Sequence, residues 1–210
     1  MDNSRQRGYS LVEVLVATLV FSAAMAGVLT LVSETQRSYA RENSIVDAVW
    51  QGRAAIDLMV RELRMAGYPP KNTYVTSAGL TAGNSNLVAA TFITAAAADV
   101  VFEADLDGDG IVERLEYCLN GTTLMRSALP KNANGSAPSP VYQTVAENVA
   151  NGTTAVFQYT TDPLSIQAFP GNVSSVGILL VLRTANPDPK TRQYRSFRFE
   201  GTAYRMNPDR

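Results

Sequence analysis

Six residues between Asp105 and Glu116 have the types and spacing to hold a hard cation, in the stretch DLDGDGIVERLE. Asp105, Asp107 and Asp109 alternate, Gly110 follows at the sixth position, and Glu116 closes the run at the twelfth. That is the spacing of a twelve-residue calcium loop, where alternate acids on a tight turn converge their oxygens. Ile111 would add its backbone carbonyl, and Glu113 a ligand directly or through water. Calcium is thus the candidate cofactor, with Asp105, Asp107, Asp109, Ile111, Glu113 and Glu116 as its ligands. The flanks differ from helix–loop–helix. VVF precedes the loop, and Leu115, Tyr117 and Leu119 follow it with strand periodicity. Glu116 on a strand is poorly placed for a bidentate role. A second reading stays open, a hairpin turn rich in Asp and Gly. Against it, three close acids repel one another without a cation.

Other chemistry is narrowed by what the chain lacks. Its 210 residues include no histidine and one cysteine, Cys118. This removes Ser-His-Asp and Cys-His catalysis, histidine metal sites and an intramolecular disulfide. No nucleophile–base pair is recognisable, so no enzyme is expected. A net charge of −1 gives no overall basic field for nucleic acid. Arg192, Arg195 and Arg198, interleaved with Tyr194 and Phe197, read as an edge strand guarded by charge rather than a nucleic-acid strip.

A further acid stands in an unusual place. Glu13 precedes VLVATLVFSAAMAGVLTLV, the uncharged run from Val14 to Val32. About twenty such residues span a bilayer as a helix. A carboxylate at the bilayer centre costs roughly 2.5–3.5 kcal/mol, and less near the interface. Arg5 and Arg7 precede the run, as in an export signal. However, the run exceeds a usual signal-peptide core, and SAAMAG at Ser22–Gly27 is followed by more apolar sequence.

RGYSLVEVLVATLVF closely resembles the N-terminus of type IV prepilins and of the pseudopilins of type II secretion. Gly8 stands where that family ends its basic leader, Tyr9 where the mature chain begins, and Glu13 at the fifth mature position. Tyr9 is a mild departure, because the family more often has Phe there. The resemblance implies cleavage between Gly8 and Tyr9 by a prepilin peptidase, N-methylation of Tyr9, and Glu13 as the assembly residue. It gives the acid a partner: Glu13 of one subunit meets the Tyr9 amine of a neighbour, which lowers the cost of either charge in an apolar filament core. RAAIDLMVRELRMAGYPP at Arg53–Pro70 and the closing stretch from Leu179 to Asn207 resemble PilW-type minor pilins and the related J-type pseudopilins.

These residues need a long helix and a scaffold. Ser33–Ala66 contains no proline, and Tyr39, Val46, Val49, Ile56, Val60 and Leu63 recur at helical spacing. This stripe is expected to meet a sheet, with Arg37, Arg41, Glu42, Arg53, Arg61 and Glu62 on a solvated face. Trp50 is expected in the core or on a packing surface. Gly67 with Pro69-Pro70 stops the helix. Strands are expected at 87–94, 100–104, 114–119, 123–126, 154–159, 176–183 and 195–204, with Asn120-Gly121 as a hairpin turn. KNANGSAPSP at Lys131–Pro140 reads as a surface loop. The fold class is α+β, a long N-terminal helix packed on a C-terminal antiparallel β-sheet domain. The expected divisions are a leader at 1–8, a membrane and assembly helix at 9–32, its continuation at 33–67 and a β-rich domain at 68–210.

The resemblance implies a minor pilin that primes type IV pilus assembly at or near the tip, in adhesion or motility. Its partners would be other major and minor pilins, the prepilin peptidase and the inner membrane. The globular domain would be periplasmic before assembly and at the cell surface afterwards. A J-type pseudopilin, or an anchored periplasmic calcium-binding domain that never polymerises, are the alternatives.

Overall fold

The computed structural model describes residues 9–70, 79–189 and 191–206. Helix α1 runs from Leu11 to Arg64, 54 residues without a proline. The chain divides into two compact units, Met1–Asn43 and Ser44–Arg210. In the first, the large apolar side chains of the uncharged run are exposed, among them Leu15, Leu19, Phe21, Leu29 and Val32.

The second unit holds two antiparallel sheets. The larger has five strands in sequence order: β1 (Phe92–Ala95), β2 (Asp99–Ala104), β3 (Glu113–Asn120), β4 (Thr123–Pro130) and β5 (Gln143–Ala146). The smaller has three: β6 (Phe157–Thr161), β7 (Val173–Arg183) and β8 (Ser196–Tyr204). The architecture is α+β, as expected. Asn120-Gly121 does turn a hairpin. Asn120 pairs with Thr123, and Gly121 takes the positive φ of 61° that a two-residue turn requires.

The part of α1 from Ser44 onward lies on both sheets. Its buried residues are Ala48, Gly52, Ala55, Ile56, Met59, Glu62 and Leu63. Ile56 and Leu63 of the expected stripe are buried, and Val49 and Val60 half-buried, but its upper part is corrected. Tyr39 and Val46 are exposed, and Trp50 is 69% exposed rather than packed. The upper part of the buried face is made of small residues because the strands come close. A Cβ on Gly52 would overlap the Phe199 ring, and one on Gly201 would lie 2.8 Å from Ile56 Cγ2. Apolar burial then does the work. Met59, Leu63, Phe102, Leu115, Leu124, Leu180 and Leu182 are all at most 1% exposed, and each such side chain contributes roughly 1.5–3 kcal/mol.

Two ionic contacts sit in this interior. Glu62, expected on the solvated face, is buried instead. Arg126 grips it with both ends of the guanidinium, Nη2 to Oε1 at 2.6 Å and Nε to Oε2 at 2.9 Å. Tyr117 donates its hydroxyl to the same Oε2 at 2.5 Å. Lys131 is likewise not in a surface loop: its side chain is 0% exposed. Its three ammonium donors meet Ala82 O at 2.7 Å, Val88 O at 3.2 Å and Glu103 Oε2 at 2.8 Å. Glu103 Oε2 also accepts from Ala90 N at 2.8 Å. The pair thereby ties the irregular segment before β1 across the face of the sheet opposite α1.

Burial, and then the Glu62 carboxylate, push the Tyr117 phenol well above its ordinary range. The unfolded chain therefore sheds this proton above about pH 10 while the folded chain keeps it, so stability falls as pH rises beyond that point. In urea titrations of the purified chain, Tyr117→Phe should cost about 1–3 kcal/mol at neutral pH and make the alkaline decline shallower. A decline of unchanged slope would show that this phenol is not the group responsible. Lys131→Met alone should destabilise by about 3–5 kcal/mol, because it strands Glu103. Adding Glu103→Leu should recover most of that loss; a double variant no better than the single would contradict the pairing.

Candidate functional site

The acidic stretch is the connection between β2 and β3, and its turn is built by its own carboxylates. Asp105 is buried, and its two oxygens accept from Gly108 N at 2.7 Å and Gly110 N at 3.0 Å. Asp107 Oδ1 accepts from Asp109 N at 3.2 Å, and Asp109 Oδ1 from Ile111 N at 2.7 Å. Gly108 and Gly110 carry positive φ of 78° and 87°, which coil the chain tightly enough for these bonds. Ligand atoms of Asp105, Asp107 and Asp109 consequently lie within 4.8 Å of one another. Each carboxylate oxygen that accepts one N–H retains a lone pair, and such oxygens are the donors that calcium takes.

The remaining expected ligands divide. Glu113 stays at the loop: its Oε2 accepts from Leu106 N at 2.7 Å. Burial, together with the charges of Asp107, Asp105 and Asp109, raises its carboxyl against a bond from Leu106 that lowers it. Ile111 is at the loop through its N–H bond to Asp109. Glu116 is elsewhere. It lies within β3, opposite Val101 and Ser127, and accepts a hydrogen bond from the Tyr142 hydroxyl. It stands on the face that also carries Cys118 and Asp99, which are register partners. Burial and then Glu116 raise the Asp99 carboxyl, and burial, Glu116 and Asp99 raise the Cys118 thiol. Strand extension is what takes Glu116 away from the aspartates: the ladder ends at Ala104↔Glu113, and Glu116 lies three pairs further in, opposite Val101.

At the N-terminus, Gly8 lies outside the described residues. Tyr9 is exposed, and α1 starts at Leu11 with Val14 N donating to Ser10 O at 3.2 Å. Glu13 is in the first turn, where the helix dipole favours an anion. Ser10-Leu11-Val12-Glu13 also has the spacing of a capping box. That signal was available in the sequence, and the first-turn position it predicts for Glu13 is the one observed. The small polar residues of the run do not interrupt it. Thr18, Ser22, Thr30, Ser33 and Thr35 each donate their hydroxyl to a carbonyl of the preceding turn at 2.8–2.9 Å. The segment therefore offers its surroundings an apolar surface, as a membrane-anchored helix must. It is long and apolar enough to cross a bilayer.

Residues 3–29 match the prokaryotic N-terminal methylation motif, a type IV prepilin-like segment. No curated protein matches the chain. The motif, together with the apolar helix, supports a type IV pilin-like or pseudopilin-like protein, and a motif of this type implies association with other pilins and with a prepilin peptidase in general.

Proposed function

We propose that the chain is a minor pilin of the PilW type, a structural subunit that primes type IV pilus assembly and lies at or near the tip. One observation carries this reading: an anionic residue, Glu13, opens a helix whose apolar side chains from Leu11 to Val32 have no cover within the chain. Such a surface needs lipid or other subunits. The chain begins as a single-pass inner-membrane protein with its second unit in the periplasm. Cleavage between Gly8 and Tyr9 frees an amine, which is methylated and pairs with Glu13 of a neighbour. The helix then moves from lipid to the filament core, and the second unit reaches the cell surface. The chain has a structural role and performs no catalysis.

Mass spectrometry of sheared surface fibres should find this chain beginning at N-methyl-Tyr9. A fibre-associated chain that retains Met1–Gly8 would overturn the reading. Glu13→Ala should leave membrane insertion intact and remove the chain from fibres, since stranding one partner of a buried pair costs about 3–5 kcal/mol. Loss of pili in the deletion strain supports the pilus. Intact pili with failed exoprotein release would assign the chain to a secretion pseudopilus instead.

The Asp105–Asp109 turn binds calcium within this reading, held by Asp105, Asp107 and Asp109, with Ile111 and Glu113 at its margin. Calorimetry on the full chain in detergent should show heat with millimolar calcium that Asp107→Ala removes. Asp105→Ala should in addition lower stability in chelator by about 1–3 kcal/mol, because Gly108 and Gly110 lose their acceptor. No heat with the unaltered chain would mean that the turn holds no calcium.

A further inference from the structure

β8 is an edge strand, paired with β7 on one side only. Arg205 N donates to Ser174 O at 3.0 Å and Thr184 N to Arg195 O at 2.8 Å, one beyond each end of the β7–β8 ladder. The register between them runs without a shift, from Ser175↔Tyr204 to Arg183↔Ser196. Peptide groups alternate in direction along an antiparallel strand. Odd-numbered residues of β8 therefore turn their N–H and C=O groups to β7, and Arg198, Glu200 and Thr202 turn theirs to the open edge.

Beside that edge lies a groove of about 790 Å³. Glu200, Gly201 and Thr202 form one wall, and the last turns of α1, with Ile56, Val60, Arg61 and Arg64, form the other. Met206, which also lines the groove, donates its N–H to Arg64 O at 3.1 Å and ties the chain beyond β8 to the end of the helix. The groove thus combines an apolar floor with a row of backbone donors and acceptors. Its charges are unequal. Arg198 Nε holds Glu200 at 2.5 Å, so Asp57 is the remaining carboxylate of the lining, against Arg61 and Arg64.

We propose that this groove receives an extended segment of a partner polypeptide as a fourth strand of the β6–β8 sheet, with an acidic side chain set against Arg61 and Arg64. Strand addition satisfies the free peptide groups of Arg198, Glu200 and Thr202, and the basic wall selects the acid. A second copy of this chain is the poorer occupant. Gly201 of β8 lies directly under Ile56 and Val60 of α1, and antiparallel pairing of two equivalent edges keeps the same faces together. Two helices would then contend for one groove. A single extended segment fits beneath one helix. This assignment holds whether or not the chain enters a filament.

The test uses the full chain in detergent and two fluorescein-labelled nonapeptides of alternating Val and Thr, one with a central Glu and its twin with a central Lys. The Glu peptide should bind and the Lys twin should bind about tenfold more weakly. Replacing both arginines, Arg61→Glu with Arg64→Glu, should reverse that order. Thr202→Pro removes an N–H from the open edge and none from the β7 ladder. It should abolish peptide binding while the melting temperature stays near that of the unaltered chain. Equal binding of the two peptides, no binding, or binding that survives a folded Thr202→Pro chain would each overturn the proposal. A dimer of the unaltered chain that Thr202→Pro dissolves, without peptide binding, would give the edge to a second copy instead.

Discussion

Glu62 is the one carboxylate of α1 that the fold takes out of water, and the sheets are placed by what it needs. A buried charge without partners costs far more than a misplaced apolar side chain beside it. Arg126 on β4 and Tyr117 on β3 supply three hydrogen bonds to its two oxygens. Apolar contact alone would let a helix slide along a sheet by a turn at modest cost, because Leu and Met accept many neighbours. A forked guanidinium on a single carboxylate does not. With Glu62 fixed, Gly52 comes under Phe199, and Gly201 under Ile56 and Val60, at spacings that only glycine permits. The polar clasp and the close approach support each other: either one displaced would orphan a charge or force a ring into backbone.

The second buried pair does for the opposite face what Glu62 does for the helix face. Lys131 and Glu103 anchor a segment with little regular structure of its own, from Ala82 to Ala90, by its carbonyls and one N–H. The face opposite α1 is thereby covered in part, around Glu103 and Lys131. The same anchoring leaves the β2–β3 connection protruding at the end of the strands. Of its three aspartates only Asp105 is buried, while Asp107 and Asp109 remain exposed. The turn is therefore stiff at its base and open at its tip, an arrangement that holds the exposed oxygens together without filling the space between them.

Much of this was legible in the residues, and the failures have physical causes. The helix and its stop, the Asn-Gly hairpin and the long strands β3, β7 and β8 follow from periodicity and turn chemistry. The lower part of the buried face of α1 followed as well, at Ile56 and Leu63, but the upper part did not, because Ala48, Gly52 and Ala55 carry no hydrophobic signal, while exposed Val46 and Trp50 do. Glu62 and Lys131 read as surface residues because their partners are 64 and 28 positions away. β5 is only Gln143–Ala146 and half polar, too short to announce itself. The expected strand from Leu87 begins five residues late, at Phe92. Before that point the backbone bonds instead to side chains, Leu87 N to Ser85 Oγ and Ala90 N to Glu103 Oε2. At the acidic loop the alternating aspartates were readable and converge. Glu116 was counted with them by spacing, and the extended strand carries it three register pairs from the loop, to Tyr142.

Glu13 faces the same balance of charge against surroundings. Its place in the first turn of α1 gives it the helix dipole, and Ser10 three residues before it gives the spacing of a capping box; these are sufficient reasons for an acid at a helix start in water. The dipole contributes about 0.3–1 kcal/mol at an exposed terminus. Insertion of the charge into hydrocarbon costs roughly 2.5–3.5 kcal/mol at the centre. A helix start held in the headgroup region avoids that difference, so in the membrane the local interactions suffice. In the proposed filament, where the segment from Leu11 to Val32 would leave lipid for a packed protein core, Glu13 would lose headgroup water, and the dipole alone would not offset that loss. On that proposal the Tyr9 amine of a neighbour would supply what the dipole cannot. The residue is thus tolerable in one setting and demanding in the other, and within the proposed filament this asymmetry would favour a fixed register of the helices.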